Sequence, residues 1–282
     1  MSAALETTVT GPDRRQVTSR IQTIVHRGRY YIGVKPSSLF VSEEEDLKID
    51  IIAASPGGEL ISGKNIQVQL ILREWHSVRK SSIGGRFRWT SEQKDTLIET
   101  QEIKSSEQAQ NVIFHPDKSG FYLIRAEGQD KSGNAIRTTT SVYITGKDYI
   151  PWERDNDDAI EVIPDSSHYR PGDTAELLIK SPYEKTLALI TVERESVLTT
   201  RMIEIEGSMH TFQLPVTSEH IPNVYVSVIL VQGRSDTVPE EGRTGSDLGK
   251  PSFKLGYCQL NVDPSKKKLA VEAQTDQETY QP

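Results

Sequence analysis

An all-β fold of tandem antiparallel sandwiches is what this 282-residue sequence predicts, on three observations. Ile and Val together number 45 against 31 for Ala and Leu, a bias toward side chains that pack on a pleated surface rather than along a helix. Short apolar runs recur between turn-forming clusters, and no stretch of 12 or more residues holds a 3.6-residue period. At about 150 residues per domain the length gives about two domains, with one large all-β unit as the alternative, and 70 residues of Leu, Ile, Val and Phe suffice to fill two modest cores.

Taken in order, the N-terminal Met1–Thr10 lacks both a basic and an apolar region, so it reads as a strand and not as a signal peptide. Leu47–Ile52, Ile66–Leu72, Val112–Phe114, Phe121–Ala126 and Ser141–Ile144 read as strands of the first half, several with strict alternation. Ala175–Ile179, Leu187–Val192, Met202–Ile205, Thr211–Leu214, Val224–Val231 and Tyr257–Val262 do so in the second. Turn signals separate them: Ser55-Pro-Gly-Gly58, Asp117-Lys-Ser-Gly120, Asp130-Lys-Ser-Gly-Asn134 and Glu206-Gly-Ser208.

An internal repeat emerges from these pieces. Tyr169-Arg-Pro-Gly-Asp-Thr-Ala175 leads into a strand, Leu269–Pro282 restarts the same phrase, and Leu39–Leu47 is a degenerate copy ahead of Leu47–Ile52. Each copy fits a strand, a tight turn and the next strand, with Pro presetting φ and Gly supplying φ > 0. The joint between the two halves is placed at Gly146–Asp155, followed by the acidic run Asp155–Asp158.

Several functions are excluded or disfavoured. A net charge of −7 gives no general affinity for nucleic acid. One cysteine cannot form an intrachain disulfide or a Cys-rich metal site. The longest apolar run, Val224–Val231, is far too short to span a bilayer. Motifs for serine hydrolases, zinc proteases, P-loops and dinucleotide folds are missing, and no two of the six histidines stand two or four residues apart. No enzyme activity and no cofactor are expected. Asp155–Asp158 fails as an EF-hand, because Ile160 and Ser166 stand where Gly and Glu are required.

Two segments are candidates for interaction. From Arg73 to Lys94, basic residues alternate with aromatics, including Trp75, Arg79, Arg86, Arg88 and Trp89. This reads either as a surface for an anionic partner or as an elongated hairpin with its Trp residues against the sandwich. Gly233–Pro251 is a polar Gly/Pro-rich loop between two strong strands, and Arg234, Arg243 and Lys250 make it the expected first site for trypsin-like proteases. Cys258, alternating with apolar neighbours, reads as a buried and inert thiol.

The stretch His168–Tyr183 with Ala188–Glu195, and Pro222–Arg234 with Gly249–Tyr257, closely resembles the bacterial branch of the α2-macroglobulin family. Val25–Val34 looks like the closing strand of a preceding macroglobulin domain. The resemblance implies tandem fibronectin-like macroglobulin β-sandwiches: the tail of one at 1–34, whole domains at 35–150 and 151–268, and the first strand of another at 269–282. It further implies a non-catalytic scaffold segment of a broad-spectrum endopeptidase inhibitor, a protease trap of the periplasm, cell envelope or extracellular space. Proteases are then partners of the full-length parent, and neighbouring macroglobulin domains are partners of this segment. Cys258-Gln-Leu-Asn261 lacks the Cys-x-Glu-Gln of the family's thioester, and the bait region is expected in the domain that begins at Leu269. The alternative is a sandwich-repeat adhesin or envelope interaction module.

Overall fold

The computed structural model describes residues 2–81, 87–146, 150, 152, 158–234, 250–269, 271, 272 and 274, with backbone alone at 77–81, 87–90 and 266. It is all-β: the only helical turns among the described residues are two short 3-10 turns, Ser218–His220 and Pro264–Lys267. The backbone forms two compact units, residues 1–77 with 91–148 and residues 78–90 with 149–282.

The first unit opens with a two-stranded ribbon of β1 (Ser2–Thr10) and β2 (Gln16–Ile24), in register from Ser2↔Ile24 to Thr10↔Gln16. Alternation puts the cross-strand pairs Leu5–Ile21 and Val9–Val17 on one face, where the four side chains stay 65–73% exposed. Then follow β3 (Tyr31–Pro36), β4 (Phe40–Ser42), β5 (Leu47–Ala54), β6 (Asn65–Ser81), β7 (Phe87–Lys104), β8 (Gln110–Phe114), β9 (Gly120–Gln129) and β10 (Ala135–Thr145). They build a five-stranded sheet in the order β4-β10-β9-β6-β7 and a three-stranded sheet in the order β3-β5-β8. Strict alternation in Leu47-Lys-Ile-Asp-Ile gives β5 its inward Leu47, Ile49 and Ile51, all fully buried. One reassignment follows: Tyr30, Ile32 and Val34, expected at the end of a preceding domain, pack in the core of this sandwich, and β3 pairs with β5 from Tyr31↔Ala54 to Pro36↔Ile49.

The second unit contains β11 (Val162–Pro164), β12 (His168–Tyr169), β13 (Thr174–Lys180), β14 (Lys185–Glu193), β15 (Val197–Glu206), β16 (Met209–Pro215), β17 (Asn223–Gln232) and β18 (Ser252–Val262). Its sheets run β12-β18-β17-β14-β15 and β11-β13-β16. Strand for strand this is the order of the first unit. In each, a short strand pairs in parallel with the last one, β4 with β10 and β12 with β18. The two repeat phrases occupy that same place. Leu39–Leu47 and Tyr169–Ala175 each carry the short strand, a tight turn, and the entry to the middle strand of the three-stranded sheet. In the second copy Asp173 Oδ2 accepts from Arg170 N at 2.7 Å, and Gly172 sits at φ +107°, a conformation that side chains with a Cβ rarely adopt.

Each sandwich has its own core. Ile49, Ile66, Leu70, Phe114, Tyr122 and Ile124 lie at the centre of one; Leu177, Ile179, Val226, Val228, Leu230 and Leu260 lie at the centre of the other. Removing each such Leu or Ile side chain from water stabilises by about 1.5–3 kcal/mol.

The first sandwich is also pinned at one end by Asp130. Its carboxylate accepts from Arg29 N at 3.1 Å and from Ser132 N, Asn134 N and Asn134 Nδ2 at 2.9 Å each. These bonds, led by the Asn134 side chain, hold its carboxyl down to about 2. A carboxyl depressed on folding stabilises above its ordinary value near 3.9, and that contribution disappears as pH falls toward 2. Urea midpoints of the wild type and Asp130→Asn should therefore differ most above about pH 4 and converge toward pH 2. A gap independent of pH over that range would contradict this assignment.

Candidate functional site

The two candidate segments grow from the edges and ends of these sheets. β17 and β18 pair antiparallel from Asn223↔Asn261 to Gln232↔Ser252, so residues 233–251 leave and return at one end of one hairpin. The loop's root is held by Tyr183 Oη with Ser252 Oγ at 2.9 Å and by Thr186 Oγ1 donating to Val231 O at 3.0 Å. Arg234 and Lys250 stand exposed at its two ends, whereas Arg243 lies outside the described residues.

The basic and aromatic segment falls on β6 and β7, two long strands adjacent in the sheet, as an elongated hairpin requires. At its base Arg73 grips Asp95 in a fork, with Nε to Oδ1 at 2.7 Å and Nη2 to Oδ2 at 2.8 Å. That bond lowers the Asp95 pKa below its ordinary value. Trp75 is half-buried and packs on Phe121 with ring centres 5.2 Å apart, and Phe121 packs on Tyr143 at 5.0 Å. Arg79, Arg88 and Trp89 have strand backbone, but their side chains, and all of Arg86, lie outside the described residues.

Other singled-out groups separate in space. Among the described residues no three His, Cys, Asp or Glu side chains gather as a metal site. Of the acidic run only Asp158 is described, and its carbonyl accepts from Leu255 N at 2.8 Å as part of the sheet edge. Cys258 is buried on β18, and burial pushes its thiol up to about 12, far from the thiolate that nucleophilic chemistry needs. His220 is buried as the last residue of the 3-10 turn, accepting from Thr217 N at 3.2 Å, and burial lowers its pKa.

One anchor escaped the sequence reading. Within the joint, Ile150 N donates to Ser208 Oγ at 2.7 Å, and the buried Trp152 donates from Nε1 to Ser208 O at 3.0 Å. The same Ser208 carbonyl accepts from Ser181 N at 2.9 Å, and Lys180 Nζ lies 4.4 Å from the Trp152 ring centre. A tryptophan next to Ile150-Pro151 in the linker is the available signal, because an indole seldom stays in water when a partner for its N–H is near.

Comparison with known proteins places this geometry. Residues 33–145 match the family model described as bacterial macroglobulin domain 6, and residues 160–282 match the alpha-2-macroglobulin bait region domain. The chain is similar to an alpha-2-macroglobulin homolog of Nostoc, with 29% identity over 84% of the chain and 13% of that protein. A homolog from Yersinia pestis is 22% identical over 77% of the chain and 11% of its own length. The native E. coli alpha-2-macroglobulin solved by cryo-electron microscopy aligns with 93% of the chain and 17% of its own, at 18% identity and a TM-score of 0.42. The chain thus spans about an eighth of the Nostoc protein. The bait-region match begins at residue 160, well before Leu269, where the sequence reading starts the bait-bearing domain.

Trp152→Ala should lower the unfolding free energy by about 3 kcal/mol, the usual scale for emptying a buried Trp site. Trp152→Phe, which keeps an aromatic ring but loses the N–H and part of the buried volume, should cost less, about 1–2 kcal/mol. Denaturant midpoints read both, and equal effects would show that the indole N–H rather than packing holds the anchor.

Proposed function

With domains of the bacterial α2-macroglobulin family over residues 33–145 and 160–282, the chain is, we propose, a non-catalytic scaffold segment of a broad-spectrum endopeptidase inhibitor. The parent traps proteases, and these sandwiches act as its walls and levers. The observation that carries this reading is the pair of sandwiches with one strand order, each with its own apolar core. A rigid repeated body suits a part that holds its neighbours apart and moves as a unit. Cutting a connecting segment would then release strain held between such bodies.

The proposal extends to organisation and place. The sandwiches divide near the joint at 146–155, the ribbon of β1 and β2 lays its apolar face on a neighbouring macroglobulin domain, and the parent works in the periplasm, envelope or outside the cell. A two-stranded ribbon with four exposed aliphatic side chains is marginal in water, which supports a cover for it. Among the described residues no helix is long and apolar enough to cross a membrane. We also propose the 233–251 loop as the first tryptic site of this chain, through Arg234 or Arg243, since Lys250 precedes Pro251 and a Lys–Pro bond resists trypsin; first cuts within 112–144 would contradict that.

The test of the trap uses the full-length parent. Trypsin incubated with an excess of it should keep hydrolysing a small chromogenic amide while losing most of its hydrolysis of a large protein substrate. Undiminished hydrolysis of the protein substrate would overturn the inhibitor reading.

A further inference from the structure

The second sandwich has a seam that the first one closes. β15 and β16 are joined by the tight turn at Gly207 but belong to different sheets, so they diverge from that turn as edge strands of the five- and three-stranded layers. Burial along the inner side of β15 records the divergence. Ile205 is fully buried, Ile203 is partly buried against the core, and Arg201 and Thr199 are exposed. The wedge left between the strands is a groove of about 230 Å³, floored by Ile190, Val192, Phe212 and Leu214, with Thr199 and Arg201 on the β15 side and Thr217, Glu219 and His220 also in its lining.

The open edge of β16 carries main-chain groups in a fixed alternation. Ser208 O accepts from Ser181 N at 2.9 Å and Val216 N donates to Asp173 O at 2.8 Å, so the even-numbered residues of this strand face β13. In an antiparallel ladder the intervening residues then direct N–H and C=O the other way. Thr211 and Gln213 thus present both groups, and Pro215 its carbonyl, along the groove. Pro215 ends the usable edge, as proline does on edge strands.

The first sandwich shows what a closed seam looks like. There β7 and β8 take the places of β15 and β16, and Ile103 packs partly buried on its core as Ile203 does. Two residues earlier, Gln101 Nε2 reaches across and donates to Ile113 O on β8 at 2.7 Å. The residue two before Ile203 is Arg201, which lines the groove on the β15 side, with Glu219 also in the lining.

We propose that the β15–β16 groove binds an extended polypeptide segment of a partner chain, which adds as a fourth strand beside β16. Thr211 and Gln213 bond its backbone. Its inward side chains are apolar over Phe212 and Leu214, with one carboxylate placed against the Arg201 guanidinium. Backbone pairing supplies the affinity and the alternating side chains the selectivity, as in other strand-addition sites. Charge complementarity at Arg201 and the unpaired ladder groups select this occupant over a globular surface, which could not enter a wedge floored by core residues. The proposal stands whether or not the inhibitor reading holds.

The test titrates the full chain into a labelled peptide, acetyl-Ser-Val-Thr-Glu-Thr-Val-Ser-amide, by fluorescence anisotropy. Saturable binding is expected, weakened at least about tenfold by Arg201→Glu and restored to that variant by a peptide with Lys in place of its Glu. N-methylation of alternate peptide residues, which blocks the ladder on one side, should abolish binding. The charge-swap rescue shows that the exposed Arg201→Glu variant is folded. Lack of saturable binding at millimolar peptide, or binding indifferent to both N-methylation and Arg201→Glu, would overturn the proposal.

Discussion

Every strand at the edge of a sheet has a row of main-chain donors and acceptors that water or another group must satisfy, and each unit here meets that demand with sheets of unequal width. A three-stranded layer covers a five-stranded one, so strands overhang on both sides. On one side the short parallel strands β4 and β12 lie against the last strands of their units, a place filled by the repeated phrase with its tight turn. On the other side β7 and β15 overhang β8 and β16, and nothing in the topology closes the gap. Side chains settle it: a glutamine bridges the gap in one unit, and an arginine rims a groove in the other.

Much of this was legible because buried β-strands leave period-two patterns. Leu47–Ile51 and Thr211–Leu214 alternate visibly, and their apolar residues are the buried ones. The repeat was legible because Pro, Gly and Asp at fixed offsets force one turn. What alternation omits is the partner of a strand. Tyr30–Val34 reads as a strand from its own residues, yet only pairing with β5 decides which sandwich owns it. β15 was seen only from Met202 to Ile205, because its first half is exposed on both faces and has no apolar period to read. Trp152 stands in the linker by sequence, and its hydrogen bond to Ser208, 56 residues away, has no local signature that names the partner.

The candidate sites were less legible than the fold for a related reason. Charge and aromatic content marked Arg73–Lys94, but the observed geometry at its base is structural: a fork between Arg73 and Asp95 that ties β6 to β7, and Trp75 stacked on Phe121. Cys258 was read correctly as buried because alternation on a strand predicts depth. The groove was invisible in the sequence, since it arises from two adjacent strands entering different sheets.

The main-chain groups of Thr211 and Gln213 point into an open seam, while those of Phe212 and Leu214 point to β13. Residue-resolved amide exchange by NMR tests this most directly, because exchange reports which N–H groups lack a ladder partner. Fast exchange is expected at Thr211 and Gln213, alternating with strong protection at Phe212 and Leu214. Equal protection of all four would contradict it, and would mean that a strand already lies beside β16.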